Sequence, residues 1–142
     1  MEFIYTSYFQ LNPYPSLVLK PDNDSNYIIY DVNQAFLDNM EIERDSILHR
    51  DLFGTLLKNE KNVTSVVAAL LKTTLAYVKT YCIPREINNI PIRYFNNIGK
   101  EKYKSWDISN YPVIDEENNL IYLLLMAKEL PEINGKSIIT EK

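Results

Sequence analysis

Histidine and cysteine occur once each in this 142-residue chain, as His49 and Cys82, and glycine only three times, as Gly54, Gly99 and Gly135. One histidine and one cysteine cannot build a metal site of ordinary Cys/His spacing, so no metal is expected. A lone cysteine excludes an internal disulfide and suits a reducing compartment. The glycines stand too far apart for a phosphate-cradling loop or a dinucleotide fingerprint, and no Gly-x-Ser-x-Gly elbow occurs. Basic residues are in deficit: the net charge of −4 offers nucleic acid no electrostatic attraction. The longest apolar run, Leu120 to Ala127, is too short to cross a bilayer. The first residues carry Glu2 and no early Lys or Arg, so they do not read as a secretory signal, and a cytoplasmic location is expected. The acid pairs Glu41/Glu43 and Glu116/Glu117 fall in polar turns and read as solvated surface, so no catalytic residue is expected.

What is present is apolar and aromatic residues in quantity. A hydrophobic fraction of 46% and an aromatic fraction of 12% predict one globular domain with a single core. The chain is organised around Tyr27 to Phe53. Tyr27, Ile28, Ile29, Tyr30 and Val32 read as a strand. Asn33 then reads as the N-cap of a short helix whose buried stripe is Phe36 and Met40. On that reading Asn33→Ala costs about 0.5–2 kcal/mol, and Asn33→Asp is mild. A second helical piece is expected from Arg44 to Leu48. His49 follows as a turn residue of positive φ, with a pH sensor or haem ligand as the sharper alternatives.

Before this block, Pro13 and Pro15 deliver an extended segment into a strand at Ser16 to Lys20, with a turn at Asp22 to Asn26. After it, Val63, Val66, Val67, Leu70, Leu71, Thr74 and Tyr77 recur at helical spacing, which predicts a long helix over 62–78. Strands are expected at Val78 to Ile83, Lys102 to Val113 and Leu120 to Ala127. The apolar connection from Pro84 to Trp106 reads as an extra strand or a lid. Asn118 or Asn119 is expected in the left-handed conformation in the last turn. Cys82 reads as a small buried or edge-strand thiol. The tally is an α+β fold: a five-stranded antiparallel sheet with short helices and one long helix on one face.

Several ordered motifs carry a resemblance. Asn12-Pro13-Tyr14-Pro15 with Leu17-Val18-Leu19, then Ile29 to Phe36, then Arg50-Asp51-Leu52-Phe53 resembles a PAS domain, and more narrowly the input modules of bacterial sensor histidine kinases. Tyr81-Cys82-Ile83-Pro84, Trp106, Asn110, Pro112, Val113 and Asp115 continue the match in order, over about residues 10 to 130. The domain is therefore drawn at 11–130, with 1–10 as an aromatic segment on the sheet or a dimer partner, and 131–142 as a tail or linker.

The resemblance implies a sensor or dimerisation module of a two-component signalling protein, working by ligand- or partner-dependent change of packing. A ligand-free interaction scaffold is the second reading, and a small acid–base enzyme with a cone-like pocket the third. No flavin is expected, because the reactive cysteine of flavin-binding relatives sits in an Asn-Cys-Arg-Phe motif before the long helix. No haem is expected, because 62–78 holds no histidine; an unknown small ligand is left open. Phe36, Phe53, Val67, Leu71, Tyr81, Trp106 and Leu124 form the candidate ligand pocket, with plain core packing as the alternative. Because Leu120 to Ala127 is apolar on both faces, the outer face of the sheet is expected to be covered. Phe3, Tyr5, Phe9, Tyr122 and Leu125 are the candidate interface of a homodimer. Glu129 stands where relatives carry the acid that couples the last strand to an outgoing helix, but Pro131 permits a helix only if it begins there.

Overall fold

The computed structural model describes residues 8–56, 65–95, 98–133 and 136–137. Five antiparallel strands form one sheet: β1 (Ser16–Pro21), β2 (Tyr27–Val32), β3 (Arg85–Phe95), β4 (Glu101–Ile114) and β5 (Leu120–Glu129), in the spatial order β2-β1-β5-β4-β3. Three further helices, α1 (Gln34–Met40), α2 (Arg44–Ile47) and α3 (Ser65–Tyr81), and a 3-10 turn at Leu52–Gly54 lie among the described residues, where residues 8–11 are helical too; α3 packs on β3, β4 and β5. A two-stranded piece, β6 (Glu132–Ile133) with β7 (Lys136–Ser137), follows Pro131.

Two hairpins close with the same chemistry. Asp22 Oδ1 accepts from the backbone N–H groups of Asp24 and Asn26, both at 2.9 Å, while Ser25 takes a left-handed φ of 65°. Asp115 Oδ1 likewise accepts from Glu117 and Asn119, both at 2.9 Å, with Asn118 at φ 65°. The expected left-handed residue of the last turn is thus Asn118. The backbone N–H of Asn26 holds the Asp22 carboxyl below its ordinary pKa, and that of Asn119 does the same for Asp115.

Asn33 caps α1 and also does more. Its Oδ1 accepts from Phe36 N at 3.0 Å and from Ser16 N at 2.9 Å. Its Nδ2 donates to the carbonyls of Asn12 at 3.3 Å and Tyr14 at 2.9 Å. The whole hydrogen-bonding capacity of one buried amide therefore joins the start of α1 to the segment entering β1. The expectation of a mild Asn33→Asp is overturned, since aspartate cannot make the two donations.

His49 takes the expected positive φ, 66°, with an exposed side chain. Its backbone N–H donates to Ile29 O at 2.7 Å, and Ile29 N donates to Arg50 O at 2.8 Å. Asp51 Oδ1 accepts from Tyr27 N at 2.7 Å. Residues 49–51 thereby cover the free edge of β2, which otherwise presents unpaired backbone groups. Arg44 ties α2 to the same strand, donating to Asp31 Oδ1 and Val32 O, each at 2.9 Å.

Two sequence expectations fail around α3. The strand expected at Val78 to Ile83 is the end of the helix: Val78 is buried on the same stripe as Leu71, Thr74 and Leu75, while Val66 is exposed. Burial of that stripe overrides the strand preference of Val78 and Tyr81, and Ile83 lies beyond the helix, outside any strand. Cys82 is neither buried nor in an edge strand. It is exposed, left-handed (φ 54°), and ends the helix by donating its N–H to Val78 O at 2.9 Å. The long apolar connection is the third strand itself, β3, paired with β4 from Arg85↔Asn110 to Phe95↔Glu101. Its bulge between Ile87 and Ile90 carries Asn89 at φ 57°, whose N–H meets Asp107 Oδ1 at 3.0 Å.

Candidate functional site

The two faces of β5 decide where a site can lie. Leu123 and Leu125 pair directly with Leu19 and Leu17 of β1, so all four share one face and are buried under the helices. Tyr122, Leu124 and Met126 point to the opposite, outer face. Leu125 as an interface residue and Leu124 as a pocket residue are therefore corrected: each sits on the other face. The reason is physical. A strand apolar on both sides carries no pattern that sets its facing, so the choice falls to its pairing with β1.

On the inner side, an apolar cavity of about 60 Å³ lies between sheet and helices. Phe36 and Met40 of α1, Leu71 of α3, and Leu52 and Leu56 line it from the helical side. Leu17, Ile92, Trp106, Ile108, Leu125 and Ala127 line it from the sheet. Of the expected pocket set, Phe36, Leu71 and Trp106 meet there. Phe53 and Val67 are half-buried against the same core without lining the cavity; the Phe53 ring stands edge-on to Tyr27, centroids 6.1 Å apart. Tyr81 is corrected. It is 61% exposed, its ring lies tilted at 49° against that of Tyr77 with centroids 4.9 Å apart, and so it belongs to the surface end of α3. Leu17, Ile92, Ile108 and Ala127 escaped the sequence reading. For Leu17, Ile92 and Ile108 the signal was alternation along β1, β3 and β4, which shows that a residue is buried but not that a gap lies beside it; Ala127 lies on β5, where the apolar run gives no such signal.

The outer face carries an aromatic and aliphatic patch. Tyr111 pairs with Leu124 and Val113 with Tyr122 across β4 and β5, and the rings of Tyr30 and Tyr122 lie 4.7 Å apart. Tyr30 is 44% exposed and Tyr111 39%. The first described residues reach this side too. Asn12 Nδ2 lies 4.0 Å from Met126 Sδ, Gln10 Nε2 donates to Val32 O at 3.2 Å, and Phe9 is buried without joining the inner core. Phe3 and Tyr5 lie outside the described residues.

Glu129 ends β5 with its carboxylate 3.3 Å from Lys104 Nζ. A strand, β6, follows Pro131 rather than a helix. A wider cleft between α1 and α2 is lined by Asp38, Glu41, Glu43 and Arg44 and is open to solvent. Among the described residues no group of three or more His, Cys, Asp or Glu side chains is placed to hold a metal ion. No described helix is long and apolar enough to cross a membrane.

No sequence-family model matches the chain, and no curated protein matches it. Solved structures do. The PAS domain of an HTR-like protein from Haloarcula marismortui superposes with a TM-score of 0.62 at 16% identity, over 91% of each chain. The VqmA dimer of Vibrio cholerae gives a TM-score of 0.64 at 14% identity, over 92% of this chain and 52% of that one. VqmA is also solved bound to DPO, in a structure similar to this chain with a TM-score of 0.63 at 15% identity, over 90% of this chain and 57% of that one. An RNA-binding light-oxygen-voltage receptor gives 0.67 at 12% identity, over 91% of this chain and 32% of that one. The chain thus spans about half or less of the longer receptors it resembles.

Proposed function

We propose that this domain, which has the PAS fold, is the sensor and dimerisation module of a bacterial, cytoplasmic two-component signalling protein, with a histidine kinase as the parent's output and neither flavin nor haem as cofactor. It works by binding and catalyses nothing: an occupied cavity favours one packing of the domain, and the outer face and outgoing chain report it. The observation that carries the reading is the apolar cavity lined by Phe36, Met40, Leu71 and Trp106. Buried apolar cavities are the usual place for a small ligand, and VqmA, of the same fold, is solved with DPO bound. The small volume of the cavity favours a second reading, a ligand-free scaffold in which the outer face alone acts.

Dimerisation is common to both readings and is the first thing to measure. The patch of Tyr30, Tyr111, Val113, Tyr122 and Leu124 is the surface a second copy covers, with roughly 800 Å² per partner expected of a specific dimer. Sedimentation velocity is expected to find a dimer for the unaltered chain and a monomer for Tyr122→Asp. The variant should lose only about 1 kcal/mol of stability, since Tyr122 is half-buried, with its ring against that of Tyr30. An unaltered chain that stays monomeric at its highest soluble concentration contradicts the assignment of this face.

A further inference from the structure

The cavity between sheet and helices is apolar and small, and its walls fix what it can hold. Its lining is hydrocarbon apart from the Met40 thioether and the Trp106 indole, whose Nε1 lies out of reach of a water-sized body. No ionisable side chain lines it. Every wall is buried except Leu56, which is half-buried and forms the side nearest solvent.

That combination selects its occupant. Water is a poor match, because a buried water makes about three hydrogen bonds and this lining presents almost no polar surface. Ions and strongly polar molecules are excluded more firmly, since nothing offsets their lost hydration. Size sets the other limit. An apolar cavity of about 150 Å³ takes benzene, about 25 Å³ for each carbon, so one of about 60 Å³ holds about two non-hydrogen atoms. We propose that the cavity takes an uncharged, apolar molecule of that size, a dissolved diatomic gas such as dioxygen, held by packing contact alone. Such an occupant restores to Phe36, Leu71, Ile108 and Ala127 the dispersion contacts that a gap forfeits. This rests on the sensor reading above and specifies its ligand class.

Dioxygen is its own probe, because its unpaired electrons speed the relaxation of nearby protons, steeply with proximity. Methyl proton relaxation is measured on the methyl-labelled chain under pressurised helium, then under dioxygen at the same pressure. Leu71, Ile108, Leu125 and Ala127 report on the walls, while Leu19, Ile29 and Leu75 are as deeply buried but line no part of the cavity. A severalfold greater enhancement at the wall methyls than at the reference methyls is expected. Ala127→Val, whose added methyl groups occupy the gap, should bring Leu71 and Ile108 down to the reference level. Benzene is expected to shift no wall methyl resonance of the unaltered chain. If Ala127→Val does not fold, the contrast between wall and reference methyls in the unaltered chain still decides. Equal enhancement throughout the core would overturn the gas site. Benzene binding to the unaltered chain would overturn the size limit and leave the sensor reading standing. Selective enhancement with the same dimer dissociation constant under helium and dioxygen would leave the site standing and overturn the sensor reading.

Discussion

Asn33→Ala is expected to lower the stability of the domain by about 3–5 kcal/mol, well beyond the loss of an ordinary helix cap. The substitution removes the acceptor of two backbone N–H groups, those of Phe36 and Ser16, in a place where water does not reach. Each buried donor left unpaired costs about 1–3 kcal/mol. The carbonyls of Asn12 and Tyr14 lose their donor as well. Aspartate retains the two acceptances, but it sets a carboxylate oxygen against those carbonyls, so Asn33→Asp is expected to lose about 2–4 kcal/mol. Urea melts with an unchanged slope measure both. A loss below about 1 kcal/mol for alanine would mean that this amide is not the junction between the segment entering β1 and α1.

The second large effect distinguishes two adjacent leucines. Leu125→Asp is expected to cost at least about 4 kcal/mol or to prevent folding, because it drives a charge into a cavity wall with no ionisable partner. Leu124→Asp is expected to cost about 1 kcal/mol and to act on association instead, since Leu124 lies on the outer face opposite Tyr111. Circular dichroism melts of the two variants read the difference directly. Equal destabilisation, or the reverse order, would mean that β5 is seated one residue out of register with β1.

These two cases show where a sequence speaks and where it is silent. The cap at Asn33, the stripe of Phe36 and Met40, the left-handed His49 and four of the five strands of the sheet follow from local chemistry, and local chemistry is written in the chain. The facing of Leu124 and Leu125 does not follow, because an unbroken apolar run alternates with nothing; pairing with Leu17 and Leu19 sets it. The same limit moved the third strand. Val78 to Tyr81 has strand-forming side chains, yet Leu71, Leu75 and Val78 bury one helical stripe on the sheet, and only a tertiary contact can reveal that. The three further bonds of Asn33 join residues 17 to 21 positions apart and are equally silent in sequence. Within the candidate site, Phe36, Leu71 and Trp106 were legible as large apolar groups on helix and sheet. The gap between them was not, because a void is a property of packing and no residue encodes it.

The central claim is that cavity occupancy and outer-face association are parts of one equilibrium. The dimer dissociation constant, measured by sedimentation equilibrium for the unaltered chain and for Ala127→Val, whose added methyl groups fill the cavity from the sheet side, reads this without any ligand. Coupling of about 1–3 kcal/mol is typical between linked sites. A shift of at least about fivefold in that constant is expected on filling the cavity. A dissociation constant that is the same with the cavity empty and filled would contradict it.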